Sequence, residues 1–232
     1  MGLVTLGPPG EIVLELAKLN NTTVFVETGT FQGGTTRWAS GHFNSVYTIE
    51  KSESIFALNN KELSKLKGVK PLLGDSRELL PKILTEIGNR KTVFWLDGHW
   101  SGGETAGKDD ECPLLGELKC LLNRKEDIIL IDDARLFLSA PPLPHKPSEW
   151  PTIKEVIIAL SSSGNRPFIQ IIDDIIFAIP DKEPLKNTLV KYTQARSIPF
   201  WSNLGNFNPK NLGKDDLKTI LKKIKHRFIH NY

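Results

Sequence analysis

Five short runs of β-favouring apolar residues recur along the first 132 positions, each separated from the next by a stretch with helical spacing. The runs are Thr23–Glu27, Ser45–Glu50, Val69–Leu73, Thr92–Asp97 and Ile128–Asp132. Such alternation predicts βαβ units and a parallel sheet, because parallel neighbours need a long crossover that a helix provides. Helices are expected over about Pro9 to Leu19, from near Thr35, over Ser54–Lys67, Ser76–Ile87, Pro113 to Asn123 and Thr152–Leu160. In the third of these, Ile55, Leu58, Leu63 and Leu66 fall near one face. Two further runs, Phe168–Ile172 and Ile175–Ile179, meet at Asp173-Asp174, and so short a connection forces them antiparallel. The expected fold is α/β: Rossmann-like and doubly wound, a mostly parallel seven-stranded sheet with a terminal antiparallel hairpin and helices on both faces.

Charge and cysteine usage narrow the function classes. The 232 residues carry a net charge of +3, too small a surplus to suggest nucleic acid as a partner. The surplus is also uneven, since Gly205–Tyr232 holds a net +5 and the rest is slightly acidic. Cys112 and Cys120 stand eight apart, which suggests neither a disulfide framework nor a zinc site. No basic region precedes a long apolar run and no stretch of about 18 apolar residues occurs, so a cytoplasmic protein without a membrane span is expected. We divide the chain at 199/200, with a leading helix in 1–20 and a basic amphipathic helical extension in 200–232. In that extension Leu217, Ile220, Leu221, Ile224 and Phe228 share a face that would dock on the domain or on a second copy of the chain.

The strand ends carry the chemistry. In an open parallel sheet ligands bind beyond the carboxyl ends of the strands, and here those ends are acidic: Glu27, Glu50, Asp75, Asp97 and Asp132-Asp133. The first turn reads Glu27-Thr28-Gly29-Thr30-Phe31-Gln32-Gly33, which lacks the Gly-x-Gly-x-x-Gly spacing of a pyrophosphate site. It suits a cofactor that carries a cation and no phosphate. Glu50, 21 residues past Gly29, is placed to accept hydrogen bonds from a ribose diol, and Gly74-Asp75 can flank an adenine ring.

Across roughly residues 20–180 these motifs resemble the class I S-adenosylmethionine-dependent methyltransferases. The resemblance implies S-adenosylmethionine as cofactor, with Glu27, Gly29, Thr30, Gly33, Glu50, Asp75, Ser76 and Asp97 as its binding set. The Gly29–Gly33 loop would hold the amino-acid end, Glu50 the ribose, and Asp75 with Ser76 the adenine edge. Asp97, Asp132 and Asp133 end adjacent strands, and three converging carboxylates need something positive among them. A divalent cation such as Mg²⁺ would serve, and the pattern resembles the metal-dependent O-methyltransferases of the macrocin and aminocoumarin type, which act on hydroxyls of sugars and natural products. The implied partner is thus a small-molecule or glycan hydroxyl acceptor.

The base is open between His99 and Asp97; a neutral imidazole suits proton removal near pH 7. A nicotinamide dehydrogenase is the competing enzyme reading, against which stand the glycine spacing and the lack of a Tyr-x-x-x-Lys pair; a cofactor-binding scaffold without activity and a nucleic-acid methyltransferase are the others. Residues Gly98–Glu111 are expected as a lid or a solvated loop, Pro141–Pro144 as a stiff loop bordering the acceptor, Glu117 as a surface acid at a helix start, and Asp173-Asp174 as a simple turn.

Overall fold

A computed structural model describes residues 7–205 other than 101, 103, 104, 140, 163 and 165. The apolar stripe expected beyond Leu217 lies outside the described residues. The sheet and the site below belong to the first of two compact units, which ends at Val190.

Strands β1 (Val24–Thr28), β2 (Ser45–Glu50), β3 (Val69–Leu73), β4 (Thr92–Leu96) and β5 (Ile128–Ile131) are parallel, while β6 (Phe168–Ile172) and β7 (Ile175–Ile179) form the antiparallel hairpin. Spatial order is β3-β2-β1-β4-β5-β7-β6, so the chain reverses direction of travel between β1 and β4. The seven-stranded α/β architecture is as the sequence predicts. Helices α1 (Gly10–Asn20), α2 (Gly34–Ser40), α3 (Glu53–Leu63), α4 (Ser76–Ile87), α5 (Leu114–Cys120), α6 (Arg135–Leu138), α7 (Ile153–Leu160) and α8 (Glu183–Gly205) complete it. Among the described residues no helix is long and apolar enough to cross a membrane.

Alternation along each strand sends side chains to two covered faces. Val24 and Val26 pack with Leu80 and Ile83 of α4 and with Leu118 of α5, whereas Phe25 points the other way, into Trp38 of α2 and Phe43 at ring separations of 5.8 and 5.2 Å. The α4 start is fixed by Asp75, whose Oδ1 accepts from the Arg77 amide at 2.9 Å, and α7 begins with a full Thr152–Glu155 capping box. Leu58, expected on the buried stripe, is 79 % exposed, because α3 stops at Leu63 and turns only Ile55 and Leu63 fully inward.

The same alternation puts Glu27, the next-to-last residue of β1, on the α2 face of the sheet. Its carboxylate is 1 % exposed, takes the Thr36 hydroxyl on Oε1, and has no partner on Oε2 among the described residues. Burial, against the lowering effect of that hydroxyl, pushes its pKa up to about 7. A carboxyl whose folded pKa is raised stabilises the fold fully below the unfolded value and loses that contribution as pH rises through 7. We therefore expect Glu27→Gln to match the parent near pH 4 and exceed it by on the order of 2–3 kcal/mol at pH 8 in urea denaturation. Equal pH dependence in both proteins would assign the titration to another group.

Candidate functional site

A cavity of about 590 Å³ opens beyond the carboxyl ends of β1 to β5. Its floor exists because the turn after β1 and the turn after β4 touch. Gly29 has φ +85°, and a Cβ there would stand 2.2 Å from the Asp97 carbonyl oxygen. The glycine is demanded by that backbone contact and not by ligand space alone. Behind the turn, the hydroxyls of Thr30 and Thr48 hydrogen-bond and Gly33 caps α2 in the left-handed region. Glu27, Thr30 and Gly33 therefore hold the turn in shape from behind; unlike Gly29, none of the three lines the cavity.

Glu50 does line it. Its Oε2 accepts from the Phe31 amide at 2.9 Å and its Oε1 from the Ser52 amide at 2.8 Å. Two backbone donors thus orient the carboxylate, and each oxygen retains a second acceptor position. Asp75 differs. Its Oδ1 accepts from Arg77 N and Nε, and its Oδ2 from Arg77 Nη2 at 2.7 Å and Lys51 Nζ at 2.9 Å. Those four bonds fill a carboxylate's acceptor capacity and hold Asp75 well below the usual carboxylate range, Arg77 contributing most. Asp75 is a helix cap and cation partner in the cavity wall, and Ser76 beside it lines the cavity while its hydroxyl bonds Glu117.

At the other end stands His99, 9 % exposed. Its Nε2 lies 2.8 Å from Asp133 Oδ2, and its Nδ1 is 3.7 Å from Asp97 Oδ1. The other oxygen of Asp133 accepts from Arg135 Nη1 at 2.7 Å, and Arg135 is itself held by the carboxylate of Asp174, which also accepts from the Arg135 amide at 2.8 Å. Asp173-Asp174 is thus more than a turn: Asp174 clasps the arginine that flanks the site. Burial opposes charge on the His99 ring, but the bond to Asp133 and the nearby carboxylates raise its pKa above the ordinary value. The same bond keeps Asp133 low although burial would raise it.

Asp132 turns away from this group. Its Oδ1 accepts the Asp133 amide at 2.8 Å, its Oδ2 is buried without a partner among the described residues, and burial with two neighbouring carboxylates pushes its pKa to about 7. It does not line the cavity. Asp133 is thus met by the His99 ring and the Arg135 guanidinium and Asp132 lies outside the cavity, so the three carboxylates do not share one open point and the donor set does not fit the expected Mg²⁺. Among the described residues, no cluster of three or more His, Cys, Asp or Glu side chains is placed to hold a metal ion.

Several site residues escape sequence reasoning. Glu117, expected at the surface, is 1 % exposed behind Gly98, where an added Cβ would lie 3.1 Å from its Oε1. Glu111, also 1 % exposed, accepts from Trp150 Nε1 at 2.7 Å, His145 Nδ1 at 3.0 Å and the Lys146 amide at 3.0 Å. Trp150 in turn stands edge-on to His99, 5.4 Å between rings. The loop after β4 is accordingly pinned: the Trp100 amide donates to the Glu111 carbonyl at 2.8 Å and Asp110 pairs with Arg77.

No family model matches the chain, and no curated protein does. Solved structures do. A putative caffeoyl-CoA O-methyltransferase from Staphylococcus aureus superposes with a TM-score of 0.50 at 16 % identity, over 76 % of this chain and 86 % of that one. The O-methyltransferase TomG from Streptomyces achromogenes, in complex with S-adenosylmethionine, gives 0.48 at 16 %, over 76 % and 82 %. Human methyltransferase-like protein 13 gives 0.49 at 14 %, over 79 % and 85 %. The chain has the Rossmann-like methyltransferase fold. The β1/β4 reversal is the topological switch point of that fold, and the cavity sits at it.

Replacing Glu111 by Ala would leave a buried indole N–H, an imidazole N–H and an amide without their acceptor. A loss of roughly 2–4 kcal/mol in unfolding free energy is expected, with Glu111→Gln intermediate. Thermal or urea unfolding measures it; a loss under about 0.5 kcal/mol, the usual size for an ordinary surface change, would show that the strap after β5 is held by other contacts.

Proposed function

We infer that this protein binds S-adenosylmethionine at the switch-point cavity and methylates a hydroxyl oxygen of a small acceptor, a sugar or polyphenol hydroxyl being the class considered, with His99 as the base. The observation that carries this reading is the pairing within one cavity of an oriented carboxylate with spare acceptor positions, Glu50, and an imidazole held by a carboxylate, His99–Asp133. Bound S-adenosylmethionine supplies an electrophilic methyl on a sulfonium centre. A wall rich in carboxylates suits a cofactor with positive charge.

Glu50 accepts from the ribose hydroxyls, as an acid at the end of the second strand does in related nucleotide sites. The sharp turn at Gly29 brings backbone close to the ligand. Asp133 accepts from Nε2–H of His99, which fixes the tautomer and leaves the Nδ1 lone pair as the base. Nδ1 takes the hydroxyl proton while the oxygen gains the methyl, and the resulting imidazolium is stabilised by Asp133 and Asp97. Asp97 becomes an electrostatic partner in this scheme instead of the base. Burial of the ring and of Trp100 keeps bulk water from the reacting oxygen.

Calorimetry separates the cofactor classes: S-adenosylmethionine should bind and NAD should not. Glu50→Ala should weaken S-adenosylmethionine binding by about 1–3 kcal/mol, the range for leaving hydroxyls without an acceptor. His99→Ala should leave that affinity within a factor of about two and lower turnover by roughly 10²–10⁴. Turnover should fall as pH drops through the raised imidazole pKa, and Asp133→Asn should move that limb to lower pH, since the anionic partner that favours the charged ring is gone. Excess chelator should leave the rate unchanged; loss of activity that Mg²⁺ restores would reinstate a metal role for the carboxylates.

A further inference from the structure

The wall across from the cofactor end contains a second imidazole, which the methyl-transfer scheme does not use. His145 sits in the proline-rich strap between β5 and α7 and lines the cavity with Pro142 and Pro144. Its Nδ1 is 3.0 Å from Oε2 of Glu111. The hydrogen bonds into Glu111 keep that carboxyl below its usual range although burial opposes them, so it is an acceptor only. The hydrogen of the neutral ring therefore resides on Nδ1, and Nε2 is a fixed acceptor. Nε2 has no hydrogen-bond partner among the described residues.

An aromatic edge stands beside it. The Trp100 ring is edge-on to His145, 5.2 Å between centroids at 77°, and it lines the same cavity. Trp100 is only 6 % exposed, yet its Nε1–H has no hydrogen-bond partner among the described residues. A buried indole N–H ordinarily has one. The Trp100 N–H is closed off from the cavity, so the polar atom this wall presents to a ligand is the His145 acceptor, the complement of a hydroxyl that donates.

The charge of the cavity adds a second constraint. Glu50, Asp97, Asp110 and Asp133 line it, and its lining cations are already engaged: Lys51 with Asp75 at 2.9 Å, Arg135 with Asp133 and Asp174. A carboxylate or phosphate on the acceptor would meet charge of its own sign with no uncommitted cation lining the wall among the described residues.

We propose that His145 determines acceptor specificity, and that the acceptor is an uncharged molecule bearing a second hydroxyl close to the one methylated, which donates to His145 Nε2. The proposal rests on the methyl-transfer reading and names the substrate class of that site. It also excludes acceptors that carry phosphates or carboxylates near the reacting group.

The test uses the full chain with S-adenosylmethionine and matched probes: catechol, phenol and 3,4-dihydroxybenzoate, and in parallel methyl glucopyranoside, glucuronate and glucose 6-phosphate, with S-adenosylhomocysteine formation as the readout. Turnover is expected for catechol or methyl glucopyranoside and not for the monohydroxyl or anionic members. His145→Ala should raise KM for the favoured probe on the order of tenfold, the worth of one neutral hydrogen bond, with kcat changed far less, and His145→Gln should recover part of the loss. Unfolding curves establish that both variants are folded. Comparable turnover of the anionic probes, a KM unmoved in His145→Ala, or no turnover of any probe by a chain that binds S-adenosylmethionine would each overturn the proposal. Failure to bind S-adenosylmethionine in calorimetry is a separate result, and it would bring down the methyl-transfer reading itself.

Discussion

A carboxylate taken out of water at the end of a buried strand must be given a cation or several donors, or else it gives up its charge. The rim of this sheet is arranged around that constraint. Asp75 is met by Arg77 and Lys51, Asp133 by His99 and Arg135, and Glu111 by three N–H donors. Glu27, Asp132 and Glu117 receive no cation at hydrogen-bond distance among the described residues, and burial raises all three. The acids thus sort into a charged set and a set biased toward the neutral form. The charged members Asp75 and Asp133 line the cavity, Asp97 lines it too although burial raises its pKa, and Glu27, Asp132 and Glu117 stand behind it. The field at the cavity is consequently set by fewer carboxylates than the sequence contains.

The same accounting explains what was legible beforehand. Strands β1 to β7 and the sheet class follow from runs such as Val93–Leu96, whose covered faces leave a continuous apolar word in the sequence. That Gly29 and Glu50 stand at the cavity is readable too, since strand-end position alone places them there. Helix α8 was not, because its sequence carries no apolar stripe for a period of 3.6 to reveal. Glu117 was misjudged because a first-turn acid on a short helix gives no sign of which way the helix faces. The metal expectation turns on a different point. Three acids on adjacent strands do require positive charge, but sequence spacing cannot tell an ion from an imidazole two residues away or an arginine two residues past the acid pair. Asp132 and Asp133 follow the end of β5, Asp133 with φ +55°, and of the two only Asp133 lines the cavity.

Glu111 links His145 and the surroundings of His99, the acceptor wall and the base of the proposed reaction. His145 Nδ1 and Trp150 Nε1 donate to the same oxygen, Oε2, while Oε1 holds the Lys146 amide. Trp150 is edge-on to both imidazoles, 5.4 Å from His99 and 5.3 Å from His145. A ligand that pulls on His145 therefore acts on the bond that orients Trp150, and Trp150 is the surface against which the His99 ring is set. Residues in one network of this kind couple rather than add, so binding of a well-matched acceptor and alignment of the base are expected to be one cooperative event. The proline-rich strap suits that role. Prolines lower the freedom of the segment before anything binds, so little further ordering opposes the closing of acceptor, strap and base into a single arrangement.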